Sequence, residues 1–123
     1  MKINRQKIHQ KCNGKCGYCG EKITIKEMQI DHIVPIYRNC SEKELNRMNI
    51  IRGTNDYENL MPACKSCNKY KSTFTIEVFR EQIQKQVQRL IDYSVNYRFA
   101  KKFNLVVETN RKVVFYFETL IKY

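Results

Sequence analysis

The sequence predicts an α+β fold in a single domain of 123 residues. Two C-x2-C pairs, Cys16 with Cys19 and Cys64 with Cys67, predict a finger held together by one Zn(Cys)4 site. Apolar residues at three- and four-residue steps over residues 76–91 predict a long amphipathic helix after that finger. Alternating apolar residues near the end of the chain predict a C-terminal β-hairpin.

The composition favours a polyanionic partner. The chain carries 23 Lys and Arg against 12 Asp and Glu, a formal net charge of +11, which is typical of proteins that bind nucleic acid. Its first ten residues lack the apolar segment and cleavage site of a signal peptide, and no stretch approaches the ~20 apolar residues needed to cross a bilayer. We therefore expect a cytoplasmic protein with no membrane partner.

All six cysteines lie before residue 72. In a reducing compartment, paired thiols are more often metal ligands than disulfides, and the C-x2-C spacing lets two thiolates reach the same tetrahedral zinc. Gly17 and Gly20 permit the positive φ angles and close backbone approach of such a turn. A closed four-thiolate site has no open position for catalysis, so we expect this zinc to be structural. His9 and Cys12 remain alternative ligands, and Cys40 is expected to be a free thiol.

Further elements follow from local patterns. Ser41 with Glu44 three residues later forms a capping box, which predicts a short helix between the two cysteine pairs. The apolar rhythm of residues 95–103 predicts a shorter helix after the long one. Two strands are then expected at residues 105–108 and 112–118, with the turn at 109–110. The domain would thus consist of a zinc-stapled core, residues 1–72, and a helical and β-hairpin extension, residues 73–123.

The segment between the cysteine pairs contains an acid next to an imidazole. It is far longer than the ~15–20 residues of a simple zinc ribbon. Within it, Asp31-His32-Ile33-Val34-Pro35 joins an acid directly to an imidazole, and Asn59 precedes the second cysteine pair. Asn68 and Lys71 follow that pair. The ordered set is C-x2-C, D-H-x2-P and N-x4-C-x2-C-N-x2-K.

This nested order resembles the HNH endonuclease family, especially its zinc-containing members encoded by bacteria and their phages. Residues 16–71 carry the resemblance, and Asn68 stands where many members have histidine, which makes the chain an HNN variant. The resemblance implies a ββα-metal finger: a strand with Asp31 and His32, a second strand at residues 60–63, and a helix that begins within the second cysteine pair. It also implies a location in a bacterium or in the bacterial host of a phage.

The activity implied by the resemblance is metal-dependent hydrolysis of phosphodiester bonds in DNA. His32 would be the general base, because an imidazole can take a proton from water near neutral pH. Asp31 and Asn68 offer hard oxygen ligands suited to one catalytic Mg²⁺ or Mn²⁺. Asn59 would hold the loop after His32 by hydrogen bonds to its backbone. The expected DNA phosphate contacts are Lys65, Lys69 and Lys71.

Other interpretations use the same residues differently. A noncatalytic zinc-ribbon DNA-binding module needs the cysteines and the basic surface, but has no use for Asp31, His32 and Asn68 together. Asp31 and Asn68 could instead be turn and helix-cap residues. A redox or metal-sensing switch would need an exposed cysteine of low pKa rather than a closed site. The expected partner is double-stranded DNA, bound by a monomer or homodimer, and roles in phage packaging, restriction or a mobile element all stay open.

Overall fold

The structure is a computed structural model that describes residues 2–120. These residues form two compact units, one built from residues 2–76 and 115–120 and the other from Glu77–Val114. Within the described chain, no helix is both long enough and apolar enough to span a bilayer. The elements in chain order are α1 (Arg5–Lys11), β1 (Gln29–His32), α2 (Glu42–Arg47), β2 (Leu60–Ala63), α3 (Lys65–Lys71), α4 (Ile76–Gln84), α5 (Gln86–Tyr93) and α6 (Val95–Lys102), with 3-10 turns at Tyr57–Asn59 and Tyr116–Leu120.

A two-stranded antiparallel sheet and the helix after it form the centre of the first unit. In the sheet, Asp31 of β1 pairs with Met61 of β2, and His32 pairs with Leu60. Every residue of β2 is buried, whereas β1 buries only Asp31. Helix α3 follows β2 directly, because the sulfur of Cys64 accepts the N-terminal amide of the helix as its cap. The α+β class predicted from the sequence is confirmed.

Helix α1 packs against β2 in the first unit. Ile8 of α1 is buried in a cluster with Ile23, Met28 and Leu60, and burying each such side chain contributes about 1.5–3 kcal/mol. The Lys11 ammonium at the end of α1 donates to the carbonyl of Leu60 at 2.7 Å. The N-terminal helix therefore fixes the start of β2, which lies opposite His32.

The short helix between the strands forms as the capping box predicts. Helix α2 begins after Ser41, whose hydroxyl accepts a hydrogen bond from the Glu44 amide at 3.1 Å. Leu45 anchors the helix by its burial. Arg52 ties the surrounding loop together, because its guanidinium donates to the carbonyls of Tyr37 and Cys40 at 2.9 and 2.7 Å.

The long helix predicted over residues 76–91 is divided in two. Lys85 separates α4 from α5, with a ψ of −2° in place of the usual helical value near ~−42°. Helical bonding continues across this residue, since the Lys85 amide donates to Glu81 and the Lys85 carbonyl accepts from Arg89. No Gly or Pro lies here to mark the change in the sequence. The shorter helix predicted next is present as α6.

The predicted C-terminal hairpin is wrong. Residues 105–115 form no strand, and a 3-10 turn occupies Tyr116–Leu120. Backbone amides of the second expected strand find other partners: the Val113 amide donates to the side chain of Gln84 at 2.8 Å, and the Phe117 amide donates to the Gly17 carbonyl at 2.8 Å. The alternation of apolar residues reflects packing of Phe115 and Phe117 on the ring of Tyr18, at centroid distances of 5.3 and 6.2 Å.

Candidate active site

Four cysteine sulfurs converge in the first unit. The Sγ atoms of Cys16, Cys19, Cys64 and Cys67 all lie within 4.8 Å of one another. A tetrahedral zinc with bonds of ~2.3 Å requires sulfurs ~3.8 Å apart, and the Cys19 and Cys64 sulfurs are 3.9 Å apart. The cluster can therefore hold a metal ion such as zinc. His9 and Cys12 lie outside it, since His9 Nε2 bonds the Ile23 carbonyl and Cys12 is buried against Met61.

The pKa values of the cysteine thiols also favour the binding of a cation. The Cys67 thiol donates to Cys16, which, with help from backbone amides, lowers the pKa of Cys16 to about 4 despite its burial. Burial and the neighbouring sulfurs raise the pKa of Cys19 to about 11. The pKa of Cys67 is also raised, chiefly because its proton is shared with Cys16. One thiolate is thus stabilised by its neighbours, and a bound cation would stabilise the thiolates of Cys19 and Cys67, whose pKa values are raised.

Two glycines allow the first cysteine pair to close onto the sheet. The Gly17 amide donates to the Pro62 carbonyl at 2.7 Å, and a Cβ at Gly17 would lie 2.1 Å from the Met61 sulfur. Gly20 has a φ of +79°, a conformation that favours glycine. Both features are those the sequence assigned to these glycines.

Three of the residues proposed for catalysis line one cleft. Asp31 and His32 at the end of β1 and Asn68 on α3 surround a cavity of about 280 Å³. The opposite wall is the loop at residues 35–39, which Arg52 holds in place. Asn59 lies behind the strand end, outside the lining of this cleft. The structure thus brings an acid, an imidazole and an amide to one solvent-facing recess.

The carboxylate of Asp31 is held by a buried network. Its Oδ2 atom accepts hydrogen bonds from the Tyr18 hydroxyl and from the Lys71 ammonium, the latter at 3.0 Å. Burial raises the pKa of Asp31, whereas these two donors act in the opposite direction. The phenol pKa of Tyr18 is raised, mainly by burial and then by the Asp31 charge, so Tyr18 keeps its proton and donates.

Lys71 lies inside the protein, which differs from the surface phosphate contact expected for it. Its side chain is 0% exposed, and its ammonium donates to the His32 carbonyl at 2.9 Å as well as to Asp31. A buried ammonium is costly unless it is paired and hydrogen-bonded, which explains why Lys71 takes both partners. Lys65 and Lys69 on the same helix are exposed.

The imidazole of His32 is partly exposed and has a side-chain partner. Its Nε2 atom lies 2.7 Å from Oδ1 of Asn55. Because an amide oxygen only accepts, this contact makes Nε2 the protonated nitrogen. Asn55 was not singled out in the sequence, since it lies in a loop and belongs to none of the motifs.

Asn59 fastens the loop that follows His32. Its Oδ1 accepts from the Val34 amide at 2.8 Å, and its Nδ2 donates to the carbonyls of Val34 and Thr54 at 3.0 and 2.7 Å. The Asn59 carbonyl also accepts from the Ile33 amide at 2.9 Å. These bonds fix the backbone directly after His32 and tie it to the loop at Thr54.

Two oxygens facing the cleft fit a hard divalent cation. Among residues 2–120, the Asn68 side chain and Oδ1 of Asp31 have no hydrogen-bond partner within the protein. Every buried side-chain nitrogen or oxygen in that range is hydrogen-bonded, so Oδ1 of Asp31 is reached by solvent. A carboxylate oxygen and an amide oxygen are ligands that Mg²⁺ accepts while it keeps several waters.

The first unit combines a two-stranded antiparallel sheet, the helix after it and four cysteines that could hold a metal, and comparison with known proteins makes the class more specific. Residues 16–74 match the model of the HNH endonuclease family. The chain is 37% identical over 76 residues to the SPbeta prophage-derived protein YoqL of Bacillus subtilis, whose name describes it as a candidate HNH endonuclease. That match covers 61% of this chain and 30% of YoqL. The chain therefore contains a segment, residues 16–74, that matches the HNH endonuclease family.

Two Cas9 proteins are also similar. The chain is 37% identical over 62 residues to the CRISPR-associated endonuclease Cas9 of Corynebacterium diphtheriae, which covers 50% of this chain and 5% of that protein. The crystal structure of the Type II-C Cas9 enzyme from Actinomyces naeslundii matches with a TM-score of 0.50 and 26% identity, over 64% of this chain and 8% of that chain. The chain thus spans less than a third of the length of these relatives.

Proposed function

We propose that the chain is a metal-dependent DNA endonuclease that hydrolyses phosphodiester bonds in its cleft. The observation that carries this proposal is that Asp31, His32 and Asn68 line the same recess, within a segment, residues 16–74, that matches the HNH endonuclease family. The similar proteins are named as endonucleases, and the net charge of +11 suits a polyanionic substrate. Double-stranded DNA is the substrate we propose.

His32 acts as the general base in this proposal. When its Nε2 donates to Asn55, the lone pair of Nδ1 is free to take a proton from an attacking water. Asn59 keeps the imidazole at the cleft through its bonds to the following loop. These contacts support the tautomer and the orientation that proton transfer by His32 would require.

Asp31 and Asn68 would hold the catalytic Mg²⁺ or Mn²⁺. Such a cation supplies charge neutralisation at the phosphoryl oxygens and stabilises the leaving sugar oxygen. Lys65 and Lys69 are exposed on the helix that carries Asn68, so they can contact the flanking phosphates.

The four cysteines would hold a structural zinc. We interpret residues 1–123 as one HNH endonuclease domain, with a zinc-stapled core at residues 1–72 and an extension at residues 73–123. The prophage-derived relative supports a bacterial or phage origin and a cytoplasmic site of action.

Plasmid cleavage tests this function. We expect the purified protein to nick or cut plasmid DNA with Mg²⁺ or Mn²⁺ and to lose this activity in excess EDTA. His32→Ala should abolish cleavage but keep zinc content and DNA affinity. The chain has one other histidine, so His9→Ala is a matched control that should retain cleavage. Equal cleavage by both variants would refute the role of His32, and DNA binding without any cleavage would favour the noncatalytic module.

A further inference from the structure

Tyr18 joins the first cysteine pair to the carboxylate of the cleft. It lies between Cys16 and Cys19 in the sequence, and its hydroxyl donates to Oδ2 of Asp31. Its ring packs edge-on against Phe115 and Phe117. A buried tyrosine hydroxyl needs a hydrogen-bond partner, and here the partner is the carboxylate that lines the cleft.

Both donors to Asp31 meet the same oxygen. The Tyr18 hydroxyl and the Lys71 ammonium both bond Oδ2, whereas Oδ1 has no partner among residues 2–120. Asp31 as a whole is only 5% exposed, and no buried side-chain oxygen in the described chain lacks a hydrogen bond. The small exposed part of the carboxylate therefore includes Oδ1, at the wall of the cleft.

We propose that Tyr18 is a positioning residue that turns the Asp31 carboxylate so that Oδ1 faces the catalytic cation. This inference rests on the proposed function, in which Asp31 is a ligand of that cation. Lys71 fixes Oδ2 from the side of α3, and Tyr18 fixes it from the side of the cysteine pair. With two donors from two elements, the carboxylate plane cannot rotate without breaking at least one hydrogen bond.

The same contact links the two metal sites. Tyr18 keeps its place because the cysteines on either side of it belong to the four-sulfur cluster. A structural zinc would thus hold the Asp31 carboxylate through one side chain. Groups that hydrogen-bond a metal ligand and set its orientation typically change metal affinity by ~10- to 100-fold when they are removed.

Binding of Mn²⁺ without DNA tests this role directly. The zinc-loaded protein is titrated with Mn²⁺, and the free ion is measured by electron paramagnetic resonance. We expect Tyr18→Phe, which keeps the ring contacts, to weaken binding by about 10-fold with zinc content and unfolding temperature unchanged. Asp31→Asn measures how much of the Mn²⁺ binding depends on this carboxylate. Tyr93→Phe is the matched control, because Tyr93 is 85% exposed and lies in the second unit, and it should bind Mn²⁺ as the wild type does.

Cleavage assays provide a second readout. Tyr18→Phe should need about 10-fold more Mn²⁺ for half-maximal cleavage, whereas kcat at saturating Mn²⁺ should change by less than about 3-fold, because a bound ion itself orients the carboxylate. Wild-type Mn²⁺ affinity in Tyr18→Phe, together with loss of binding in Asp31→Asn, would overturn the positioning role. Absence of cleavage by the wild type would instead refute the proposed endonuclease, whatever the Mn²⁺ titrations show.

Discussion

Oδ1 of Asn55 lies 2.7 Å from Nε2 of His32, although the two residues are 23 positions apart in the chain. The contact places a neutral acceptor behind the imidazole, on the side away from the nitrogen that would meet water. A neutral imidazole that donates through Nε2 has an unprotonated Nδ1. Asn55 therefore selects the tautomer that a general base needs, and it does so without adding a charge to the cleft.

Replacing Asn55 should reduce kcat. We expect Asn55→Ala to lower kcat by about 10- to 100-fold, because the imidazole loses its fixed orientation and tautomer. Asn55→Asp keeps an acceptor at this position, so it should restore most of the rate. Single-turnover plasmid cleavage at saturating Mg²⁺ measures the effect. A wild-type rate in Asn55→Ala, with zinc content and DNA affinity unchanged, would show that the contact has no part in catalysis.

The Asp31–Lys71 pair should make a large contribution to stability that depends on both partners. Asp31 is 5% exposed and Lys71 is 0% exposed, and removing one partner of a buried ion pair costs roughly 3–5 kcal/mol because the other charge is left unpaired. We therefore expect Lys71→Met to lower the free energy of unfolding by that amount. Urea unfolding followed by circular dichroism provides the measurement.

The double variant isolates the coupling between these two charges. Asp31→Asn with Lys71→Met leaves no buried charge, so its loss of stability should be smaller than the sum of the two single losses by at least about 1 kcal/mol. Strictly additive losses would mean that the two side chains stabilise the fold independently. That result would contradict the coupling that the 3.0 Å contact between them predicts.

Features set by local spacing could be predicted from the sequence. The C-x2-C pairs predicted the four-sulfur cluster, because two cysteines on one turn and two at a helix start have few other ways to meet. Ser41 and Glu44 predicted the start of α2 for a similar reason, since a capping box involves only four consecutive residues. Each cysteine pair and the capping box lie within four consecutive residues, so local spacing is enough to recognise them.

Features set by distant partners could not be predicted. The position of Lys71 in the N-x2-K pattern is equally compatible with an outward side chain, and only its packing beside Asp31 turns it inward. Residues 112–118 alternate as a strand does, but edge-on packing of Phe115 and Phe117 against Tyr18 satisfies the same pattern. Apolar residues at every second position indicate which side chains are buried, but they do not identify the residues that bury them.

Removing the metal from the cysteine cluster should unfold the first unit. Structural zinc contributes its binding free energy to folding, on the order of 10 kcal/mol in small finger domains. We expect one zinc per wild-type chain by elemental analysis, and none in Cys64→Ser. Serine retains an oxygen that can cap α3, so this variant tests the metal rather than the cap. Cys40 lies outside the cluster, so Cys40→Ser should retain both zinc and the cooperative unfolding transition.

Lys65 and Lys69 should account for part of the salt dependence of DNA binding. They lie one turn apart on α3, on the exposed surface next to Asn68. Each phosphate contact contributes about 0.9 to the slope of log K against log salt. Lys65→Ala and Lys69→Ala should each reduce the slope by about 1, measured by fluorescence anisotropy with duplex DNA and no divalent cation. Lys43→Ala on α2 removes the same charge from another exposed position. If Lys43→Ala changes the slope as much as the α3 variants do, the effect comes from net charge alone. A direct phosphate contact, in contrast, depends on where the charge lies.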